Sequence, residues 1–350
     1  MIGKEYDDPD WDKLLEQLTF DEMVTMIGDA FHFRMPVESV QAPGARDENG
    51  PQGLTVSLLP EGSVATAFTS EDIMAAAYNV DLMYEIGKVI GNNCLLAEVS
   101  ALYGPGNNIH RTPYAGRNFE YYSEDGYLSG KLSAYEVAGI QEKGIDVLLK
   151  HFALNDFETD RIGVGVWLNE QAAREIYLKA FQAPFEEADA NGVMIAYTRW
   201  GTTWSGANKG LMTGIMQEEW GNLGWSITDN IITDYITGTD GVLAGTTAYD
   251  ALIPVITAEL ETYEKDAVVV SAMREACHRN LYALANSSGM NRVGENTMIE
   301  RLEHSFVTIC RIIAIISGLT TVLFAVMWIR GSKKLKETQE YKDYKAMKKK

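Results

Sequence analysis

Residues 145–161 read IDVLLKHFALNDFETDR. A short, largely apolar run, Ile145–Leu149, gives way without a break to Lys150 and His151 and then to a polar loop. A run of this length bounded by polar residues reads as a buried strand. The same arrangement recurs along the chain. Ser100–Tyr103 (SALY) opens into GPGNNIHRTPYAGRNFEYYSED, Gly192–Ala196 (GVMIA) ends on Tyr197, and Gly224–Thr228 (GWSIT) ends on Asp229. Asp240–Ala244 (DGVLA) follows at the next interval and reads as a further strand. Between the runs lie stretches of helical period. In Arg174–Asp189, for example, Ile176, Ala180, Phe181, Pro184, Phe185 and Ala188 mark one face, with Pro184 expected to kink or interrupt the helix. Strand–helix alternation with chemistry at the carboxyl ends of several strands predicts an α/β fold, a (β/α)8 TIM-like barrel with its site on that face.

The flanking segments are consistent with one large globular domain. The N-terminal stretch is acidic, with Asp10 or Asp12 as expected helix caps and Thr19–Glu22 (TFDE) as a capping box. Residues 35–70 are rich in Pro, Gly and Ser and read as irregular, though they hold ENGPQGL at 48–54. Residues 255–285 read as one or two helices. The 350 residues carry a net charge of −19, divided unevenly: −26 on residues 1–300 and +7 on residues 301–350. So acidic a body repels nucleic acid, and none is expected as a partner. Three cysteines (Cys94, Cys277, Cys310) form no CxxC, and five histidines (His32, His110, His151, His278, His304) show no ligand spacing. Neither a metal nor a cofactor is expected.

The far end changes character. Residues 312–329, IIAIISGLTTVLFAVMWI, carry no charge and are followed by a tail with eight lysines. At ~1.5 Å per residue, such a helix spans roughly 27 Å, close to a bilayer's hydrocarbon thickness. The expected organisation is a barrel domain at 1–290, a juxtamembrane segment at 291–311, a transmembrane helix at 312–329 and a basic cytoplasmic tail at 330–350. The lysine bias places the chain in the cell membrane, single-pass, with the barrel outside.

KHFALNDFETDR, GPGNNIHRTPYAGRNFEYYSED, MIAYTRWG and EEWGNLGWSITD together resemble the catalytic barrel of family 3 glycoside hydrolases, the β-glucosidase and β-xylosidase family. The resemblance covers about residues 10–290 in the family's order. It implies that Asp229 is the catalytic nucleophile of a retaining hydrolysis. It also implies that Lys150 and His151 hold sugar hydroxyls, with Arg117 beside them and Tyr197 near the nucleophile. Trp200 or Trp204 could offer a face to a sugar ring. Arg117 with Glu120, Glu124 and Asp125 could form an ion network, and Arg161 is expected to brace a loop carboxylate.

Two departures from the family pattern bear on activity. Asn49 stands where the family usually has an aspartate that accepts bonds from sugar hydroxyls, so a charge-assisted bond is lost. Asp47 and Glu48 would need a shifted loop to substitute. The second carboxyl group that protonates the leaving oxygen is also unmarked, although Asp156, Glu158 and Asp160 lie in the loop after Lys150-His151. In two-domain members that acid comes from a companion α/β sandwich domain. The resemblance thus implies a retaining, exo-acting β-glycosidase acting on a β-linked oligosaccharide or glycoside. An upstream sandwich domain carrying the acid and an export signal is expected to complete it. The alternative is a catalytically inactive, membrane-tethered glycan-binding protein.

Overall fold

Four of the apolar runs are strands. In chain order the strands are β1 (Phe33–Arg34), β2 (Ala45–Asn49), β3 (Val99–Gly106), β4 (Asp146–Phe152), β5 (Gly165–Val166), β6 (Gly192–Ile195), β7 (Arg199–Trp200), β8 (Thr203–Trp204) and β9 (Trp225–Thr228). They are seen in a computed structural model that describes residues 1–348 apart from Arg292, Glu295 and 301–304. His304, parts of the 291–311 segment and the last two lysines of the tail therefore lie outside the described residues. Six strands form one sheet in the order β1-β2-β3-β4-β6-β9. Strand β1 pairs antiparallel with β2, and the other neighbours are parallel. The rest form a small three-stranded sheet, β5-β7-β8.

The expected eight regular strands are thus not all present among the described residues, and DGVLA is a helix. Gly238–Ala244 is α-helical, its first N–H groups held by the Glu259 carboxylate at 2.8 and 2.9 Å. Gly245, at φ +106°, ends it in a conformation that suits glycine. The place beside β9 goes instead to the next segment, through parallel bridges Ile227↔Ala248 and Ile231↔Ala251. Backbone bonds then carry the circuit on: Tyr249 N to Ile27 O (2.8 Å), Ala30 N to Tyr249 O (3.2 Å) and Asp47 N to His32 O (3.1 Å). The sheet is regular over part of a ring, and irregular backbone completes it.

Helices cover the outside between strands. Those at Val80–Leu96 and Gly126–Gln141 start on side-chain caps, Asn79 and Asp125. Asp125 is therefore a cap rather than part of an ion network with Arg117. The two helices pack so closely that a Cβ on Gly87 would lie 2.2 Å from Glu136 O. The stretch 170–188 is less regular than its period suggests. A π-helical turn, Ala173–Tyr177, precedes the helix Lys179–Ala188, and Pro184 sits inside that helix. Residues 255–285 form helices Val255–Leu260 and Ala267–Ala285. At the N-terminus the Thr19/Glu22 capping box is present. Asp10 and Asp12 lie within the first turn of their helix, and the Asp10 N–H is taken by Asp8 at 2.8 Å. Strand β2 lies inside the stretch that reads as irregular.

Alternation along the strands decides what faces the ring's interior. Tyr103, Leu148, Met194, Trp225 and Ile227 pack there together with Ala30, Ala101 and Ala248. On β4, Asp146 and Lys150 share Leu148's parity, one below it and one above. On β2, Asp47 pairs with Ala101, level with Asp146, and Asn49 pairs with Tyr103 one step further along.

The chain divides into two compact units, Met1–Ile299 and Glu300–Lys350. The second holds a 33-residue helix, Ser305–Glu337, and a short helix, Gln339–Met347. Residues 312–329 lie within the long helix. By length and composition that helix is able to cross a membrane.

Candidate active site

The carboxyl ends of β2, β4 and β9 bring four of the expected residues together. Lys150 is buried, and its Nζ donates to Asn49 Oδ1 at 3.1 Å. No carboxylate lies within 4.0 Å of that ammonium group among the described residues. Burial lowers its pKa to about 8, opposed by the charges of Glu120 and Asp229. His151 is 1% exposed. Its backbone is clamped by the Asn108 side chain, which accepts from His151 N at 2.6 Å and donates to His151 O at 3.0 Å. Its ring Nδ1 lies 3.0 Å from the Tyr121 hydroxyl. Its Nε2 lies 3.7 Å from Asp229 Oδ2. Burial and the charges of Arg117, Lys150 and Arg161 hold this imidazole well below its usual pKa, so it is neutral.

Asp229 follows directly on β9, with one carboxylate oxygen engaged and one not. Oδ1 accepts from Asn230 N at 2.8 Å, whereas Oδ2 is buried and has no hydrogen-bond partner among the described residues. A buried acceptor left unpaired costs about 1–3 kcal/mol; other buried acids share this state, and Asp229 differs in standing at the carboxyl end of a strand opposite His151. Tyr197 donates to Asn230 O at 2.6 Å, which anchors the turn that carries Asp229. Arg117 pairs with Glu120 on its own loop, and its charge also acts on Lys150 and His151.

The loop after β4 is tied back onto the same region. Arg161 braces Glu158 at 2.9 Å and stacks over the Tyr197 ring at 4.7 Å. Asp156 is the carboxyl group in this loop that the structure distinguishes. It is buried, its Oδ2 has no hydrogen-bond partner among the described residues, and burial raises its pKa to about 7 despite Arg111. Glu48 and Asp250 are two more buried acids near the mouth, both raised by burial. Glu48 does not replace Asn49: its Oε1 accepts from Asn49 N at 2.8 Å and lies 3.6 Å from His32.

Trp204 offers no platform. It is 5% exposed, and its indole N–H is spent on Ala196 O at 2.9 Å. Trp200 is half-buried on the small sheet. Among the described residues, no group of three or more His, Cys, Asp or Glu is placed to hold a metal. A cavity of about 650 Å³ opens elsewhere, at the amino ends of β2 and β3 between Ala45, Val99 and Gly289. A barrel's chemistry belongs at the carboxyl ends, where the unpaired Asp229 oxygen is.

Residues 54–265 match the family model described as the glycosyl hydrolase family 3 N-terminal domain. The chain belongs to glycosyl hydrolase family 3. It is 34% identical over 240 residues to thermostable β-glucosidase B of Acetivibrio thermocellus, covering 66% of this chain and 32% of that one. It is 36% identical over 225 residues to an exo-α-(1->6)-L-arabinopyranosidase of Bifidobacterium breve, covering 61% and 30%. Among solved structures, β-glucosidase 3B of Thermotoga neapolitana superposes with a TM-score of 0.73 at 29% identity, covering 80% of this chain and 43% of that one. The chain spans about a third of the length of these curated relatives. The family's N-terminal domain is a TIM-like barrel, and the partial ring described above is this chain's form of it. Asn49 lies just ahead of the matched span, on the strand that the sequence hides.

Three residues of the site escape a reading of the sequence: Asn108, Tyr121 and Asn155. All are neutral, and each touches His151 directly or through one neighbour. The only signal for them is their place in the two long loops that follow β3 and β4.

Proposed function

We propose that this chain supplies the nucleophile and the sugar-binding groups of a retaining, exo-acting β-glycosidase of the β-glucosidase type. The observation that carries the reading is the unpartnered Asp229 Oδ2 at the mouth of the barrel, facing the neutral His151. In the proposed first step, an Asp229 oxygen bonds to the anomeric carbon as the glycosidic C–O bond breaks, and the leaving oxygen takes a proton from an acid. In the second step, water gives up a proton to that group's conjugate base and attacks the same carbon, releasing Asp229. Lys150, His151, Arg117 and Asn49 hold the sugar's hydroxyls, and Tyr197 steadies the nucleophile's turn.

The acid is proposed to come from a companion α/β sandwich domain, and the lengths of the relatives leave room for one. The long apolar helix is proposed to anchor the protein in the cell membrane, with the barrel outside and the lysines inside. Protease added to intact cells should then remove the barrel and spare the tail, whereas protection of both would place the barrel in the cytoplasm.

A second reading, glycan binding without turnover, draws on one observation. Asn49 meets Lys150 with an amide where a carboxylate would make an ion pair. Alkyl and dinitrophenyl β-glucosides separate the two readings. Dinitrophenolate leaves without a proton, so the chain alone should glycosylate itself from that substrate. The alkyl glucoside should lag by a further ~10²–10⁴-fold, the scale of general acid catalysis. Brisk alkyl turnover would put the acid within this chain, at Asp156 first. Failure with both substrates, alongside measurable sugar binding, would favour the inactive binder.

A further inference from the structure

Behind His151 runs a line of hydrogen bonds whose directions can each be assigned. Arg161 Nη1 lies 2.9 Å from Glu158 Oε2, so the guanidinium donates and Glu158 accepts. Its Oε1 takes an N–H from Asn155 Nδ2 at 3.0 Å. This contact fixes the amide's orientation, because a flipped Asn155 would set two acceptors against each other. The second N–H on the same nitrogen reaches the Tyr121 hydroxyl oxygen at 3.0 Å. Tyr121 has one proton to give, and its remaining neighbour is His151 Nδ1 at 3.0 Å. Nδ1 therefore accepts. A neutral imidazole carries a single N–H, which is left on Nε2, 3.7 Å from the unpartnered Asp229 Oδ2.

We infer that Asn155, oriented by Glu158, is a positioning residue that locks His151 in its Nε2–H tautomer through the Tyr121 hydroxyl. The mouth of the barrel then always presents a donor at this point. It faces the Asp229 carboxylate at 3.7 Å and can donate to a sugar oxygen placed between them. The opposite tautomer would aim a lone pair at a buried carboxylate oxygen. A relay of this kind acts as does the partner that fixes ring orientation behind a ligating histidine. The inference builds on the reading of Asp229 as the nucleophile, though the relay itself stands on the hydrogen-bond geometry around a neutral His151.

The test is nuclear magnetic resonance on the full chain, ¹⁵N-labelled at histidine, in detergent micelles near pH 7.5. The His151 signals are identified by their loss in His151→Gln. Two-bond ¹H–¹⁵N correlations report which ring nitrogen carries the proton. The wild type should show Nε2–H. Asn155→Asp reverses the relay, because Tyr121 must then donate to the new carboxylate and accept from Nδ1, so the proton should move to Nδ1. Tyr121→Phe removes the donor and should give a measurable population of the Nδ1–H form; it decides the matter if Asn155→Asp does not fold. A general loss of packing would broaden the signals without exchanging one tautomer for the other. Nδ1–H in the wild type would overturn the inference, as would Nε2–H persisting in both variants. The expected tautomers together with a covalent adduct on some carboxylate other than Asp229 would sink the catalytic reading and leave the relay standing.

Discussion

Two levels of one barrel interior use similar side chains to opposite ends. At the floor, Arg34 bonds Asp146 and Ser100 at 2.7 Å each, lies 3.5 Å from Asp47 and stacks on Trp225 at 4.9 Å. There one guanidinium serves two carboxyl groups: it is hydrogen-bonded to Asp146 and only at ion-pair distance from Asp47, whose oxygens have no hydrogen-bond partner among the described residues. Four residues further along β4 and two along β2, Lys150 meets only a neutral amide, and Asp229 keeps a bare oxygen. The floor is buried, as are Lys150 and His151 at the mouth, while Asn49 and Asp229 are partly exposed. The floor sets opposite charges within ion-pair distance, whereas Lys150 at the mouth has no carboxylate that close among the described residues; on the proposed reading a ligand completes the mouth. Unmatched buried charge is expensive, and it is retained where binding or chemistry repays it.

The largest effect that tests this contrast is at Asp229. Asp229→Asn should cut turnover of a dinitrophenyl glucoside by ~10⁴-fold or more, the scale of removing a covalent nucleophile, while leaving the unfolding temperature nearly unchanged. Next comes the floor. Arg34→Met strands Asp47 and Asp146, so it should lower stability by about 3–5 kcal/mol in thermal or denaturant unfolding. A change well below 1 kcal/mol would mean that the floor carboxyls are neutral and the pairing is unimportant.

Lys150→Met should do the reverse. Removing an unpaired buried cation should leave stability equal or higher by about 1 kcal/mol, and it should weaken binding of a glucose-configured inhibitor by roughly 10–100-fold. Wild-type affinity should also fall as pH rises through about 8, where Lys150 loses its proton, and the Met variant should be flat there. The stability sign is opposite. The folded pKa lies below the usual 10.5, so the unfolded chain binds more protons between about 8 and 10.5. The burial cost is therefore complete below pH 8 and is relieved as pH climbs across that window. The smallest effect is Asn49→Asp, which gives Lys150 a true counter-charge and should tighten inhibitor binding by about 1 kcal/mol. Weaker binding would place Asn49 outside the sugar site.

The sequence is legible where burial is apolar and opaque where burial is polar. Strands β3, β4, β6 and β9 announce themselves as short hydrophobic runs ending on reactive residues. Strand β2, ARDEN, does not, because its inward Asp47 is buried against Arg34 rather than against oil. Residues 246–251, TTAYDA, hide for the same reason: threonines and Asp250 are buried by hydrogen bonds to neighbouring backbone and side chains. DGVLA misleads in the other direction, since five residues are too few to separate a period of 2 from one of 3.6. At the site, Lys150, His151 and Asp229 stand out because they are charged or titratable strand ends. Tyr121 and Asn155 do not, because the direction of a hydrogen bond between neutral groups leaves no trace in spacing.

The central claim, that the unmatched oxygen at the barrel mouth is the attacking atom's carboxylate, is tested most directly by trapping. The chain is incubated with 2-deoxy-2-fluoro-β-glucosyl dinitrophenolate, whose leaving group needs no acid, digested, and read by mass spectrometry. The account predicts a single fluoroglucosyl adduct on the peptide carrying Asp229, absent from Asp229→Asn. An adduct on Asp156, Asp234 or any other carboxylate would contradict it.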